Sequence, residues 1–205
     1  MRHSMTDFTY RYNSPLGGII LASDGNALTG LWFDGQKYFA DTLAPDHAES
    51  PLPVFRKTVR WLDIYFSGLN PGFTPPLNMR TSPYRKAVWE IMLTIPFGKT
   101  MTYGEIARII ARDRGLTRMS AQAVGGAVGR NSIALIIPCH RVVGTDGSLT
   151  GYAGGIDKKL KLLALEHTDM TGLYAQKFFG EQIVKGDVRR ARASGSRYKR
   201  GRRRD

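Results

Sequence analysis

Residues 136–144 read Ile136-Ile137-Pro138-Cys139-His140-Arg141-Val142-Val143-Gly144, and this stretch carries the strongest indication of fold and chemistry in the chain. An apolar run that resembles a strand ends at a proline, and a cysteine, a histidine and an arginine follow. A thiolate is the nucleophilic form of cysteine, and neighbouring cations stabilise it. Cys139 beside His140 therefore predicts an activated nucleophile. The alternative is a buried and inert cysteine, since cysteine is among the residue types most often found in protein cores.

The region around this stretch, residues 82–168, is predicted to be mainly helical. Ser82-Pro83 has the cap and the first-turn proline of a helix start. The apolar face of that helix consists of Val88, Ile91, Met92 and Ile95. Thr102 and Glu105 have the spacing of a capping box and predict a second helix, and Ser120–Val128 predicts a third, rich in small residues. Two short helices joined by a tight turn favour a helix-turn-helix, although such pairs also occur in folds that never contact DNA.

The N-terminal zone, residues 6–79, has the pattern of a small sheet followed by a helix. Three short runs are typical of strands: Phe8–Tyr12, Gly18–Ala22 and Leu28–Phe33. A turn signal at Ser23–Asn26 makes an antiparallel meander the expected arrangement. Near-helical spacing of Val54, Val59, Leu62 and Phe66 predicts a helix over Pro53–Phe66. Ser67–Asn78, rich in Gly, Pro and Asn, indicates a linker.

The composition limits the classes of protein that are possible. With 205 residues, 42% of them hydrophobic, the chain can bury the core of one ordinary domain or two small ones. It lacks the run of about 18 apolar residues that a membrane span needs, and residues 1–14 lack the apolar stretch of a signal peptide. A single cysteine excludes an internal disulfide and a cysteine-cluster zinc site, and it favours a reducing, cytoplasmic location. His3, His47 and His167 show no ligand spacing, so no metal is expected.

The positive charge is concentrated at the C-terminus. The formal net charge is +13, and residues 185–205 contribute ten Lys or Arg against two Asp or Glu. A basic balance favours polyanion partners, because each neutralised phosphate releases counterions; the alternative is charge that serves solubility alone. Residues 180–205 lack apolar periodicity and are predicted to form a disordered basic tail.

Several segments together resemble one known family. Pro138-Cys139-His140-Arg141-Val142 resembles the active-site motif of the O6-alkylguanine-DNA alkyltransferases, also called methylated-DNA–protein-cysteine methyltransferases. Further segments agree in order: Ile95–Thr100, Thr102–Glu105, Ala123–Ala127, Arg130-Asn131 and Gly151–Gly155.

The resemblance implies an α+β fold, with an N-terminal ribonuclease H-like sheet domain over residues 1–80 and a C-terminal helical domain with a winged helix-turn-helix over residues 81–170. It also implies direct reversal of DNA damage: an alkyl group moves irreversibly from O6-alkylguanine, or from O4-alkylthymine, to the cysteine, once per molecule.

The resemblance assigns five residues to the reaction. Cys139 is implied as the nucleophile and His140 as its base, acting through a bound water. Glu166, 27 residues after Cys139, matches the carboxylate that orients the histidine; a carboxylate fixes the imidazole tautomer and stabilises its cation. Tyr103 matches the tyrosine that donates a proton to the departing guanine, and Asn131 matches the asparagine that braces the turn before the active-site loop. The alternatives are a solvated carboxylate at a helix end for Glu166 and a half-buried aromatic residue for Tyr103. A further residue of the motif, Arg141, is expected to form only a structural ion pair.

The pocket for the damaged base is also implied by the resemblance. A base must leave the duplex before a thiolate can attack it. Tyr152, Ala153 and Gly154 are expected to line one wall, with the Ala153 N–H facing the guanine oxygen. The carbonyls of Val142 and Cys139 are expected to face the exocyclic amine. An ordinary glycine-rich loop is the alternative for residues 151–155.

The recognition helix departs from the family at one position. The residues expected to contact DNA are Gln122, Ala123, Gly125 and Gly126. Many family members have an arginine at the position of Gln122, where it fills the space left by the flipped base. A charged finger is therefore absent here, and neither Arg118 nor Arg130 aligns with that position.

Two other classes of function are compatible with parts of the sequence. Alkyltransferase-like proteins keep the pocket but lack the cysteine and flag lesions for other repair systems; Cys139 argues against that class. A basic nucleic-acid-binding regulator would use the helix-turn-helix and the tail, but it would not need Cys139, His140 and Glu166 at family spacing. We therefore expect a cofactor-free cytoplasmic monomer that acts on double-stranded DNA and binds no membrane.

Overall fold

The computed structural model describes residues 7–175, and its N-terminal part is a four-stranded sheet. The strands lie in the order β3-β2-β1-β4, and they are β1 (Asp7–Ser14), β2 (Gly17–Ser23), β3 (Leu28–Phe33) and β4 (His47–Glu49). Antiparallel pairing of β1 with β2 and of β2 with β3 confirms the predicted meander. β4 pairs parallel with β1 and was not predicted, because its three residues are all exposed and show no alternation. The predicted tail over residues 180–205 lies outside the described residues.

Helix α1 (Pro53–Phe66) begins and ends where the spacing predicts. Its buried face is wider than the predicted one and consists of Val54, Phe55, Thr58, Trp61, Leu62 and Tyr65. Val59 and Phe66, which the spacing placed on that face, are only partly buried. The larger aromatic residues Trp61 and Tyr65 take their place, and Tyr65 reaches into the C-terminal half of the protein.

The C-terminal part is mainly helical, as predicted. Its elements are α2 (Pro83–Leu93), β5 (Met101–Thr102), α3 (Tyr103–Asp113), α4 (Ala121–Gly129), a 3₁₀ turn (Cys139–Arg141), β6 (Val142–Val143) and α5 (Ile156–Leu165). The Ser82 hydroxyl caps α2 by accepting the Arg85 N–H. Thr102 and Glu105 make both hydrogen bonds of the capping box at the start of α3. Local side-chain chemistry therefore sets both helix starts.

The connection between α3 and α4 differs from the predicted tight turn, because it runs over residues 114–120. The Leu116 N–H donates to Ala111 O at 2.8 Å and the Gly115 N–H to Arg112 O at 3.1 Å, with Gly115 at φ +63°. This pair of bonds closes the end of a helix around a left-handed glycine. The closing motif takes up residues before the chain can turn towards α4, so the connection is longer than predicted.

The two halves of the protein share one hydrophobic core, and the edge of the N-terminal sheet supports the segment before Cys139. Leu31 of β3 donates its N–H to Ser132 O at 2.8 Å and accepts the Ala134 N–H at 3.0 Å. The apolar run that follows was predicted to be a strand, and that prediction is wrong. The Ile137 N–H bonds Ile133 O at 3.1 Å within a buried turn. The run is apolar because the core surrounds it, and not because a sheet pairs with it. Within residues 7–175, no helix has the length and apolar character that crossing a membrane requires.

Candidate active site

Cys139 begins the 3₁₀ turn, and its side chain is almost fully buried. The Asn131 side-chain amide, which follows α4, donates to Ile137 O at 2.7 Å and to the Cys139 sulfur at 3.2 Å. Its amide oxygen accepts the Ile133 N–H at 3.0 Å. Asn131 therefore holds the turn, as expected, and it also touches the sulfur, which the sequence did not indicate.

The next residue, His140, is fully buried and paired with Glu166 at the end of α5. His140 Nε2 lies 2.6 Å from Glu166 Oε1. The other ring nitrogen, Nδ1, has no hydrogen-bond partner within the described part of the chain. Glu166 is 2% exposed, so the alternative of a solvated carboxylate at a helix end is wrong.

Two further groups fix the Glu166 carboxylate. The Arg141 guanidinium donates Nε to Oε2 at 2.8 Å and Nη2 to Oε1 at 3.0 Å, while its Nη1 binds Ile95 O at 2.6 Å. The expected structural ion pair of Arg141 is thereby confirmed, and its partner is Glu166. The Gly98 N–H donates to Oε2 at 3.0 Å. Gly98 has φ +72°, and a Cβ there would lie 2.7 Å from Glu166 O, so both the conformation and the close approach require glycine.

Burial, hydrogen bonds and neighbouring charges together set the protonation of the three reacting groups. Burial raises the pKa of the Cys139 thiol, against the lowering effects of the Asn131 amide and the Lys159 charge. It lowers the pKa of His140, against the attraction of Glu166. Burial also tends to raise the pKa of Glu166, but hydrogen bonds from His140 and Arg141 and their charges lower it to about 2. The resting site therefore holds a thiol, a neutral imidazole and a carboxylate, and not the cation-stabilised thiolate that the motif suggested.

A tyrosine from the N-terminal half also lies in this cluster, and sequence reasoning missed it. The Tyr65 hydroxyl donates to Glu166 Oε1 at 2.8 Å and lies 3.2 Å from His140 Nε2. Its ring stacks on Trp61, with the centroids 5.0 Å apart. The only sequence signal was its position in the predicted α1, which indicates a core residue and no chemistry.

Lys159 of α5 is a second residue that sequence reasoning missed. It is fully buried, and its ammonium donates to Val142 O at 2.6 Å and to Thr150 O at 3.2 Å. Burial lowers its pKa to about 8, against the attraction of Cys139. The lysine thus ties the strand after Cys139 to the loop before Gly151. Its place among Leu160, Leu162 and Leu163 in the sequence gave no sign that a charge would point inward.

The expected substrate-binding residues form one side of this region. The Tyr103 hydroxyl donates to Thr150 O at 3.0 Å, and a Cβ on Gly151 would come within 3.2 Å of it. Burial raises the pKa of Tyr103 to about 12, and a thiolate at Cys139 would act in the same direction, so the phenol keeps its proton in the resting site. Tyr152 is buried with its ring 6.5 Å from that of His140, centroid to centroid.

The same loop is held from both sides by backbone and side-chain donors. Ala153 O accepts the Lys37 N–H from the N-terminal half at 3.0 Å. A Cβ on Gly154 would lie 2.7 Å from the Tyr152 ring, so the glycine lets the loop pass the ring closely. The Val142 carbonyl, expected to face the guanine amine, already accepts from Lys159; a carbonyl has a second lone pair for another donor.

The residues expected to contact DNA lie on α4. Gln122, Ala123 and Gly126 are exposed, whereas Gly125 is half-buried, with its Cβ position 3.9 Å from the Tyr103 ring. Trp89 of α2 anchors the helix from behind by donating its indole N–H to Ala127 O at 2.9 Å. The exposed face of α4 therefore carries small side chains and one amide. Across residues 7–175, no three His, Cys, Asp or Glu side chains are grouped so that they could hold a metal ion.

Comparisons with known proteins agree with this arrangement. Residues 9–79 match the family described as 6-O-methylguanine DNA methyltransferase, ribonuclease-like domain, and residues 83–168 match 6-O-methylguanine DNA methyltransferase, DNA binding domain. The methylated-DNA–protein-cysteine methyltransferases of Mycobacterium leprae and Haemophilus influenzae are 40% and 39% identical over 78% of this chain, and the matches cover 93% and 85% of those proteins. A crystal structure of Mycobacterium tuberculosis O6-methylguanine methyltransferase gives a TM-score of 0.68 at 40% identity, covering 79% of this chain and 93% of that one. For Mycobacterium tuberculosis OGT in complex with DNA the TM-score is 0.66, again at 40% identity, with 79% and 92% covered.

The fold and these matches define a class of two-part methyltransferase, with a ribonuclease-like sheet domain before a helical DNA-binding domain. The predicted fold class is thereby confirmed. The chain belongs to the methylated-DNA–protein-cysteine methyltransferase family, also known as the O6-methylguanine DNA methyltransferases. The boundary between residues 80 and 81 stays a prediction, because the hydrophobic core runs across it.

Proposed function

We propose that this protein repairs double-stranded DNA by moving the alkyl group of O6-alkylguanine onto Cys139. The observation that carries the proposal is the buried cluster in which the only cysteine of the chain lies beside a His140–Glu166 pair at 2.6 Å. A nucleophile, a base and a group that orients the base are the three parts that such a transfer needs. O4-alkylthymine presents the same kind of alkyl–oxygen bond, and we include it in the proposal.

The reaction is one displacement at carbon. The Cys139 thiol gives its proton to His140 Nδ1 through a bound water, and the sulfur electron pair forms a bond to the alkyl carbon. The bond between that carbon and guanine O6 breaks, and its electron pair goes to the base. The Glu166 carboxylate stabilises the imidazolium that forms, since opposite charges in contact favour the charged form.

The thiolate that develops needs support, because burial opposes its charge. The Asn131 amide lies 3.2 Å from the sulfur and is a direct donor to it. Lys159 adds a positive charge nearby. We infer that both residues stabilise the sulfur as its proton leaves.

The departing base takes a proton from Tyr103, and the phenolate regains its proton from the His140 imidazolium through solvent, so that the thiol proton is in effect passed to the base. A neutral guanine leaves more readily than its anion, so a phenol at this position lowers the barrier. The Tyr103 hydroxyl now donates to Thr150 O at 3.0 Å, and on substrate binding it would turn to the base. The Ala153 N–H would face the guanine oxygen, the carbonyls of Val142 and Cys139 would face its exocyclic amine, and Tyr152 and Gly154 would line the wall.

Access to the buried sulfur requires that the damaged base leave the DNA stack. The exposed face of α4, with Gln122, Ala123 and Gly126 at its surface and Gly125 behind, is the face that we assign to the duplex. We also propose that one copy of the chain acts alone. The thioether is stable, so each molecule acts once, and a reducing compartment such as the cytoplasm would keep the thiol competent.

Mass spectrometry after mixing with a duplex that contains O6-methylguanine tests the proposal. The expected result is a single added methyl group on the peptide with Cys139, together with loss of one methyl group from the DNA. An unmodified protein after prolonged incubation, with the lesion still bound, would instead support a lesion-binding function.

A further inference from the structure

The cluster at Glu166 includes Tyr65, a residue of the N-terminal half that takes no part in the proposed transfer reaction. Tyr65 lies near the end of α1, 101 residues before Glu166 in the chain, and its side chain is fully buried. Its ring contacts Trp61, Phe66 and Phe97, and its hydroxyl points between His140 and Glu166. Packing in the core would require only the ring of a phenylalanine, so the buried hydroxyl of Tyr65 has a role other than packing.

The hydrogen-bond geometry at this hydroxyl permits one arrangement of protons. Glu166 is a carboxylate and can only accept, so the single proton of the Tyr65 hydroxyl points to its Oε1 at 2.8 Å. The Tyr65 oxygen then presents lone pairs to His140 Nε2 at 3.2 Å. A bare Nε2 would face two acceptor oxygens, at 2.6 and 3.2 Å, and these contacts would repel. Nε2 must therefore carry the proton, which leaves Nδ1 of the neutral ring free to act as the base.

We propose that Tyr65 is a positioning residue through which the N-terminal half holds the Glu166 carboxylate and the His140 ring in their paired orientation. The inference rests on the proposed transfer to Cys139 and adds a residue to it. Tyr65 touches neither the sulfur nor the expected place of the base, and it acts through His140 and Glu166. The sheet domain is then more than a support for the core, because one of its side chains reinforces the Glu166–His140 pair that leaves Nδ1 to receive the thiol proton.

The phenol is suited to this role because it keeps its proton at every pH at which the protein would work. Burial raises the pKa of Tyr65 well above 10, and the charge and hydrogen bond of Glu166 act in the same direction. Tyr65 is therefore a constant donor that neither takes the proton of the thiol nor gives its own to the imidazole. Its constant protonation distinguishes Tyr65 from His140, whose charge changes during the reaction.

Tyr65→Phe removes the hydroxyl and keeps the ring, and Tyr12→Phe is the matched control. The Tyr12 hydroxyl also donates to a carboxylate of α1, Asp63 Oδ1 at 2.8 Å, but it lies at the surface and outside the site. We expect Tyr65→Phe to lower the single-turnover rate of methyl transfer about tenfold, the scale of one hydrogen bond to a charged group. Loss of the donor to Glu166 Oε1 at 2.8 Å leaves more charge on the carboxylate to stabilise the imidazolium, and this outweighs loss of the longer 3.2 Å acceptor contact, so the acid limb of the rate–pH profile should move to higher pH. Tyr12→Phe should change neither the rate nor the limb.

Three results would overturn the proposal: an unchanged rate, a lower rate with an unmoved acid limb, and equal effects in the two variants. The amplitude of the transfer with excess DNA counts the active molecules, so partial misfolding of a variant cannot imitate a change in rate constant. In addition, Tyr65→Phe should have little further effect in a Glu166→Gln background, because residues that act through one another are not additive. Full additivity would count against the inference.

A measurement on the unchanged protein, free of DNA, separates failure of this inference from failure of the proposed function. Nitrogen-15 NMR of the His140 ring reports which nitrogen carries the proton. We expect Nε2–H in the parent, and the same tautomer with a shifted Nε2 resonance in Tyr65→Phe, because Glu166 Oε1 at 2.6 Å still accepts this proton. Nδ1–H in the parent would overturn the inference even if methyl transfer is observed. Conversely, Nε2–H in a parent that transfers no methyl group would overturn the proposed function and leave the role of Tyr65 in fixing the ring intact.

Discussion

The Glu166 carboxylate accepts five hydrogen bonds inside the protein, whereas the outer face of α4 presents small, exposed residues such as Ala123 and Gly126. Glu166 lies at the end of α5, and its donors come from α1, the loop before β5 and the 3₁₀ turn, so three separate parts of the chain hold this one side chain. The face of α4 has no comparable network in the structure, and a Cβ on Gly126 would meet nothing within 4 Å. The chemistry is thus fixed before DNA arrives, while the contact surface is left for DNA to complete. This contrast predicts that substitutions in the cluster affect every substrate, and that substitutions on α4 affect only those that require a duplex.

The largest effect is expected from Cys139→Ser. A serine hydroxyl is a far poorer nucleophile at neutral pH than a thiol, so methyl transfer should fall below detection. Affinity for DNA should persist, because α4 and its support by Trp89 remain. Transfer and binding are measured on the same preparation, by mass spectrometry and by fluorescence anisotropy. Methyl transfer by the serine variant would show that another group is the acceptor.

Glu166→Gln should slow transfer by about 10²-fold, the scale of a lost acid–base relay. The charge of Glu166 raises the pKa of His140, and burial lowers it below its usual 6.5. Only neutral His140 can accept the thiol proton, so the parent rate should stay level down to about pH 6.5 and decline below it. Removing the charge lowers the pKa of His140 further, which moves that decline to lower pH.

The readouts for Glu166→Gln are single-turnover rates between pH 5 and 8 (roughly one and a half units either side of the usual histidine pKa). The amount of methyl transferred per molecule should stay the same as in the parent. A decline of the parent rate that begins above pH 7 would mean that His140 is charged at neutrality, against the effect of its burial.

Much of this site follows from sequence, and the parts that do not are long-range. Ser82, Thr102 and Glu105 act on their own helix starts, so their roles are visible over three residues of chain. Cys139 and His140 were singled out by their own chemistry as neighbours, whereas Glu166 was identified only through the resemblance to a family, because spacing alone does not bring residues 139 and 166 together. Tyr65 meets Glu166 only through tertiary packing.

The remaining errors in prediction have the same physical origin. The run before Pro138 has strand composition, but it is buried by the core on all sides and forms a turn. Lys159 lies in a leucine-rich helix whose pattern would place it at the surface, but its ammonium binds two carbonyls inside the protein, one in β6 and one in the loop before Gly151. In each case the tertiary environment outweighs a local preference.

Lys159→Met should have an intermediate effect, about a tenfold loss of transfer rate and about 1–3 kcal/mol of stability, because two buried carbonyls lose a donor. The pH dependence gives a sharper test. The folded pKa of Lys159 is lowered to about 8 from 10.5, so between these values the unfolded chain binds the proton and the folded protein does not. Stability of the parent should therefore rise from pH 8 to 10.5 relative to Lys159→Met. Denaturant unfolding at both pH values measures the difference, and a constant difference would mean that the lysine is charged throughout.

The smallest effect, and the one that tests the contrast most directly, is expected from Gln122→Ala on α4. A flipped guanine leaves its cytosine partner unpaired in the stack. The glutamine amide has both donors and an acceptor, so it can bond the orphaned base without adding charge. It should hold the gap less strongly than an arginine, which adds attraction to phosphates and stacking.

Gln122→Ala should therefore slow repair of duplex DNA several-fold, of the order of 1 kcal/mol for a lost neutral hydrogen bond, and barely change reaction with free O6-benzylguanine, which needs no flipping. Gln122→Arg should match or exceed the parent on duplex DNA. The ratio of the two rates, measured for parent, alanine and arginine variants, isolates the flipping step, because the buried cluster contributes equally to both reactions. Equal losses on both substrates would mean that Gln122 supports the pocket and does not contact the duplex, and α4 would then belong to the fixed part of the site.

No change on either substrate would mean that another residue fills the gap, and the candidates are Arg118 and Arg130. Both are exposed near α4, but Arg130 already lies 3.7 Å from the Asp41 carboxylate and 3.8 Å from the centre of the Tyr38 ring, so Arg118 is the residue with more freedom to enter the gap.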